Sequence, residues 1–224
     1  MTHLKKNKKI LIYIFLFILL GTINNEKINN INFPKIKEIK VSGLGDKENI
    51  KLSRKFNFLK IENLFFLDKS KIEDVLNSNN LIEKYFIFKI YPSSLEIKIN
   101  KVKYLAYVNK NGINFFLGSN GKLINANNEI KNIPFIFGNF KNHEFNQLKK
   151  IIDNSDFDYQ LIKNLFFFQS GRWDIEMHSG LLIKLPKDKL KESLDISIRI
   201  LSDDEFKNLK IIDLRQKKQV IINE

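Results

Sequence analysis

Residues 10–23, Ile-Leu-Ile-Tyr-Ile-Phe-Leu-Phe-Ile-Leu-Leu-Gly-Thr-Ile, carry no charged side chain in a chain that holds 38 Lys and Arg against 25 Asp and Glu. Lys5, Lys6, Lys8 and Lys9 stand directly before them. An apolar helix preceded by clustered lysines orients across a bilayer with the lysines on the cytoplasmic side, which sends the bulk of this chain to the other face. Length works against a span: a hydrocarbon core of about 30 Å needs roughly 20 helical residues at about 1.5 Å each. Snorkelling by Lys8 and Lys9, Asn24 and Asn25 at the far interface, and local thinning would make up the difference. Three readings compete. A cleaved signal peptide needs a small-x-small site, and only Thr22-Ile23-Asn24-Asn25-Glu26 follows. A buried core helix is the plain structural alternative, but a run apolar all round behind a lysine cluster fits an uncleaved signal anchor better. Its membrane-facing side chains would be Ile10, Leu11, Ile14, Phe15, Phe17, Ile18 and Leu20.

The remaining length suits two small domains, and the absence of cysteine excludes disulfides, thiol nucleophiles and cysteine metal sites. The net charge of +13 invites a nucleic-acid reading. Only Arg54, Arg172, Arg199 and Arg215 are arginines, however, and the lysines are spread among Asn and Ile rather than gathered in a patch. Arg is the side chain suited to bidentate phosphate contacts, so a solvated basic surface is the better reading and no nucleic-acid partner is expected.

Residues 24–35 are polar and close at Pro34, which makes them a linker between the basic tail and anchor (1–9 and 10–23) and the first folded segment. Ile36 to Val41 predicts a strand, with Ile39 and Val41 on one face, and Asn49 to Phe58 predicts a short helix. Ser70 and Glu73 form a capping-box pattern before Ile72, Val75 and Leu76, which share a helix face. Glu83 to Tyr91, the turn at Pro92-Ser93-Ser94, and the alternation of Leu95, Ile97 and Ile99 with Glu96, Lys98 and Asn100 predict a hairpin. Residues 36–104 thus read strand, helix, helix, strand, strand: a three-stranded sheet with two helices on its apolar face.

From 105 to 224 short strands alternate with turn signals, the strongest being Asn111-Gly112 and Asn120-Gly121. Ile133 to Gly138 carries Pro134 and suits a strand start or a sheet edge. Phe145, Leu148, Ile151 and Ile152 predict a helix over 142–154, and Leu190, Leu194, Ile198 and Leu201 another. Between them Ile175 to Met177 and Leu181 to Leu185 predict a hairpin across His178-Ser179-Gly180. Ile211 to Ile222 is either a strand pair or one strand interrupted at Gln216 to Gln219, with Ile212 and Leu214 on one face and Asp213 and Arg215 on the other. The fold class expected is α+β, a β-α-α-β-β domain followed by a mixed β domain with an antiparallel sheet and flanking helices.

Chemistry-bearing patterns are scarce. His3, His143 and His178 lie in unrelated segments, and no nucleophile elbow, P-loop or glycine-rich nucleotide loop occurs, so neither enzymatic activity nor a cofactor or metal is expected. Arg172-Trp173-Asp174 fits a ligand platform less well than a core anchor with its neighbours paired on the sheet. A strand that ends a chain often lies at a sheet edge, where its free backbone groups can take a strand from another protein. Val220, Ile221 and Ile222 suit that role by their β-branched side chains, though a strand packed silently into its own sheet fits the same residues.

Taken in order, the segments resemble the FtsQ/DivIB family of bacterial cell-division proteins, in a Gram-negative, alphaproteobacteria-like form. Ile39-Lys40-Val41-Ser42-Gly43, Asn63-Leu64-Phe65-Phe66-Leu67-Asp68 and Ile90-Tyr91-Pro92-Ser93-Ser94-Leu95-Glu96-Ile97 are similar to a POTRA domain of that family. Asn120-Gly121-Lys122-Leu123-Ile124, Ile133-Pro134-Phe135-Ile136-Phe137-Gly138, Arg172-Trp173-Asp174, Leu185-Pro186 and Ile212-Asp213-Leu214-Arg215 follow in family order. Departures fall at Asn100, Lys101 and Lys103 in place of an acidic-Arg pair and proline, at Gly171 in place of a second arginine, and at Gln216 to Gln219 in place of Pro-Asp-Arg. The resemblance implies a non-catalytic, single-pass inner-membrane scaffold with periplasmic domains at the septum. It further implies binding of the FtsB and FtsL coiled-coil pair by strand addition, and links to FtsK and the septal cell-wall synthase. Partner binding is expected at Asp213, Leu214, Arg215, Gln216, Val220 and Ile221, with Leu194 and Ile198 as helix neighbours. A POTRA-bearing transport or outer-membrane assembly factor is the alternative, set back because no long amphipathic strand series follows Pro186.

Overall fold

The computed structural model describes residues 3–21, 33–126, 130–203, 209–216 and 219–223. Helix α1, His3–Gly21, begins within the lysine cluster and takes in the apolar run as far as Gly21. Thr22 and Ile23, the end of the expected anchor, and residues 24–32 of the expected linker lie outside the described residues. Side chains from Ile10 to Leu20 are exposed, which overturns the buried-helix reading. Among the described residues no helix is long and apolar enough to cross a membrane. The reason is visible in α1 itself: it has 19 residues, and Lys5, Lys6, Lys8 and Lys9 occupy its first turns.

The first sheet has the order β1-β3-β2, built from β1 (Glu38–Ser42), β2 (Ile82–Ile90) and β3 (Ser94–Lys101). β1 runs parallel to β3 because the two helices between β1 and β2 carry the chain back across one face; β2 and β3 form the expected hairpin. Central β3 presents Leu95, Ile97 and Ile99 to that face, all buried, each stabilising the fold by about 1.5–3 kcal/mol relative to exposure. Covering them are α2 (Asp46–Lys55), a 3₁₀ turn at Asn57–Ile61 and α3 (Lys69–Asn77), through Leu52, Phe56, Leu59, Ile72 and Leu76.

Two local expectations are corrected. α2 starts at Asp46 rather than Asn49, because Gly45 at φ 104 turns the chain into the helix there. α3 is capped by Asp68, not Ser70: the Asp68 carboxylate accepts from Ser70 N at 2.9 Å, and Ser70 Oγ donates to the same carboxylate at 2.8 Å. A carboxylate two residues before the expected cap takes the amide of the second helical residue.

The second sheet has nine strands in the order β12-β11-β10-β9-β8-β7-β4-β5-β6. These are β4 (Tyr104–Lys110), β5 (Ile113–Gly118), β6 (Leu123–Asn125), β7 (Phe135–Phe137), β8 (Ile162–Phe167), β9 (Trp173–Met177), β10 (Leu182–Lys184), β11 (Ile211–Asp213) and β12 (Ile221–Asn223). β4 and β5 meet at Asn111-Gly112, where φ values of 53° and 81° match the left-handed pair a two-residue hairpin needs. The sheet is mixed, not antiparallel throughout: β4 with β7, β7 with β8 and β10 with β11 are parallel. Each of the last two pairs is joined by a helix, α4 (Asn142–Asp153) and α5 (Leu190–Leu201), and a parallel connection needs such a crossover. β7 is consequently interior, and Pro134 stands one residue before it, where its missing N–H takes nothing from the strand's own ladder.

A single register row crosses this sheet: Val108, Ile136, Leu165, Ile175, Ile183, Ile212 and Ile222. The first six are buried in one core with Phe145, Leu148 and Ile152 of α4 and Leu194 of α5. Asn120 joins the two sheets, its Nδ2 donating to Asn80 O at 3.0 Å and Ile82 O at 2.9 Å, while Asn80 Nδ2 donates to Leu123 O at 2.8 Å.

Candidate functional site

The C-terminal strands form a pair, settling the alternative left open by the sequence. β12 runs antiparallel to β11 with Ile211, Ile212 and Asp213 opposite Asn223, Ile222 and Ile221. β12 occupies the end of the strand order, and no strand among the described residues pairs with its other side.

Which backbone groups of β12 point outward follows from the ladder. Leu182 N donates to Lys210 O at 2.8 Å and Leu214 N to Lys184 O at 2.9 Å, so Ile212 between them aims its backbone groups at β10, while at the start of the strand Lys210 N turns to Asn223 O of β12 at 2.9 Å. Ile211 and Asp213 therefore aim theirs at β12, where Asn223 and Ile221 receive them. By alternation Ile222 turns its N–H and C=O away from the sheet, and continuing the alternation one residue before β12 gives Val220 the same direction. Their side chains, with Ile221, are exposed. The arrangement offers two backbone donors, two acceptors and an apolar flank to an incoming strand.

The opposite face of the same strands carries a charged row, Asp174 on β9, Lys184 on β10 and Asp213 on β11, which ends at Ile221. Arg215 folds back on Asp213, with Nε 2.8 Å from Oδ1 and 3.0 Å from Oδ2, and its backbone N donates to Oδ1 at 3.1 Å. This grip holds the Asp213 carboxyl below the usual carboxylate range. Asp174 behaves oppositely. Burial pushes its pKa up, against the pull of Arg172 whose Nε lies 3.5 Å away, and neither Arg172 Nε nor Asp174 Oδ1 has a hydrogen-bond partner. The Arg172 guanidinium sits 4.0 Å over the Phe168 ring, while Trp173 packs into the core beside Phe167, so this segment anchors the sheet as the bland reading held.

The expected partner residues divide by exposure. Arg215, Gln216, Val220 and Ile221 are exposed; Asp213 and Leu214 are buried, Asp213 offering its charge only through Arg215. Leu194 is fully buried under the sheet and has no surface to offer, and Ile198 is half-buried. Ile222, which suits strand addition by its β-branched side chain, is not in the expected contact set, although it stands opposite Ile212. Lys184 was missed as well, because its place in the charged row depends on a parallel pairing across a helix. Among the described residues no group of three or more His, Asp or Glu is placed to hold a metal ion.

A small β-α-α-β-β domain followed by a mixed sheet with an open terminal strand defines a two-sheet α+β protein. Residues 34–101 match the model for the POTRA domain, FtsQ-type, and residues 106–215 that for the cell division protein FtsQ/DivIB, C-terminal. The cell division protein DivIB of Clostridium botulinum is 30% identical over 92% of this chain and 86% of its own. FtsQ of Bradyrhizobium diazoefficiens is 20% identical over 71% of this chain and 48% of its own, and FtsQ of Rickettsia bellii 22% identical over 84% and 72%. The chain belongs to the FtsQ/DivIB family of cell-division proteins. Its relatives carry both names, so no leaning toward the alphaproteobacterial form follows from them.

Proposed function

We propose that this protein is a non-catalytic scaffold of the division machinery, held in the inner membrane by the apolar run from residue 10 to 23. Its two domains, 36–104 and 105–224, then lie in the periplasm at the septum. The exposed side chains from Ile10 to Leu20 behind Lys5, Lys6, Lys8 and Lys9 support the tether, which spans by snorkelling of Lys8 and Lys9 and by local thinning. Partner binding is strand addition at β12, and the FtsB and FtsL coiled-coil pair is the partner. The observation that carries this reading is the outward direction of the Ile222 backbone groups, continued to Val220, on an edge with which no described strand pairs. FtsK and the septal cell-wall synthase are further partners in the same assembly.

The test is co-purification of the full chain with FtsB and FtsL. Val220→Pro removes one outward N–H, so the variant loses the partner while its thermal transition stays in place. Retained binding by a folded Val220→Pro protein contradicts strand addition. A fluorescent fusion locates the protein at midcell rings, and a uniform envelope signal contradicts the division role.

A further inference from the structure

We infer that the POTRA-type domain carries a second membrane contact, an aromatic cluster at the point where the tether enters the fold, which seats in the headgroup region of an anionic bilayer. The inference rests on the tether reading above. Phe33 is the first described residue after the segment that follows α1. Its ring lies 4.3 Å from that of Phe65 and 5.9 Å from that of Phe66, and Phe65 lies 4.8 Å from Tyr91. All four rings are exposed, Phe66 to 76%, and Ile61, four residues before Phe65 in the chain, to 74%. Clustered aromatic side chains held in water by a folded loop are unusual for a soluble domain and usual at a membrane interface, where the ring sits at headgroup depth.

The loop is built to present them. Asn63 Oδ1 accepts from both Phe65 N and Phe66 N at 3.1 Å, fixing the turn that lifts the two rings. Lys89 Nζ donates to Leu64 O at 2.6 Å, and Lys35 bridges to Asn63. Residues 33–37, 60–71 and 89–91 hold Lys35, Lys37, Lys60, Lys69, Lys71 and Lys89 against Glu62 and Asp68. Glu62 is already paired with Lys71 at 2.7 Å, and Asp68 caps α3. A net positive charge on the segments that carry the aromatic cluster matches an anionic lipid surface. Reach also fits: from Gly21 to Phe33 is twelve residues, at most about 40 Å of extended chain.

The absence of cysteine allows a direct test. The full chain is reconstituted in vesicles of seven parts phosphatidylcholine to three of phosphatidylglycerol. An environment-sensitive probe is placed through Ile61→Cys or, separately, Phe15→Cys in α1, and quenching by spin-labelled lipid is read. Quenching at both positions is expected, with that at 61 lost in Phe65→Ser/Phe66→Ser and when phosphatidylglycerol is omitted. Phe66→Ser alone is the milder variant if the double one fails to fold, and it too should reduce quenching at 61. Quenching at 15 without quenching at 61, or quenching at 61 that survives loss of both rings, overturns the docking and leaves the tether standing. No quenching at 15 overturns the tether, and the docking with it.

Discussion

Arg215 clamps Asp213 from two residues further along the chain, its Nε within 3.0 Å of both carboxylate oxygens, at the row that ends on Ile221 of the open edge. The clamp fixes where the chain leaves β11 and therefore where β12 can return. It links a local ion pair to the availability of the terminal strand.

A carboxylate whose pKa falls on folding adds stability at pH above its ordinary value, here 3.8, and that stability is lost as pH falls through the lowered folded value. Asp213→Asn should weaken the fold at pH 7 by about 1 kcal/mol, the exposed Arg215 being partly screened by water. Urea titration across pH checks this: the gap from the parent closes in strongly acid solution, whereas a gap independent of pH means the charge is irrelevant.

Asp174 has the opposite sign. Burial raises its folded pKa above 3.8, so ionisation costs stability as pH rises from the ordinary value through the raised one. Asp174→Asn should therefore raise the Tm at pH 7, with the gain fading as pH approaches 3.8. A lower Tm at neutral pH would show instead that Arg172 needs the charge.

Gly43 ends β1 at φ 114, and a Cβ there would stand 1.8 Å from Ile99 O on the central strand. Backbone cannot yield as a side-chain tip does, so Gly43→Ala should destabilise the first domain by about 2–3 kcal/mol. Protease resistance of residues 36–104 reports the effect.

Leu194 and Ile221, grouped as contacts by sequence, should separate in experiment. Leu194→Ala empties a fully buried site and should cost about 2–5 kcal/mol. Ile221→Ser touches an exposed side chain, so denaturation should be nearly unchanged while affinity for FtsB and FtsL falls about tenfold, as loss of about 1.4 kcal/mol requires.

Local rules were legible in the sequence. Asn111-Gly112 needed only its own left-handed preference, and the core face of α4 only helical spacing; on α5 the expected Leu194 is buried, but beside Ser193 and Ser197, and the expected Leu201 is exposed. What failed involved competition or distance. Ser70 lost the cap because the Asp68 carboxylate takes both its amide and its hydroxyl, which places Ser70 inside the helix. Pro134 marked a strand start, but β7 became interior through parallel pairing with β4 and β8, strands far from it in sequence. That same pairing lines Tyr107, Phe135, Phe137 and Phe166 into an aromatic ladder that no local pattern foretells. At the site, the edge position of the last strand was readable from its place in the chain. The direction of its backbone groups required the register of β10, β11 and β12 together.

That direction is also the most direct thing to measure. Amide hydrogen exchange at Val220 and Ile222, followed in the full chain with and without FtsB and FtsL, reads the outward donors themselves. The account predicts fast exchange at both in the free protein, slowed at least about tenfold in the complex, while Ile221 changes little because its N–H already faces β11. Unchanged exchange at Val220 and Ile222 in a saturated complex would contradict strand addition at this edge.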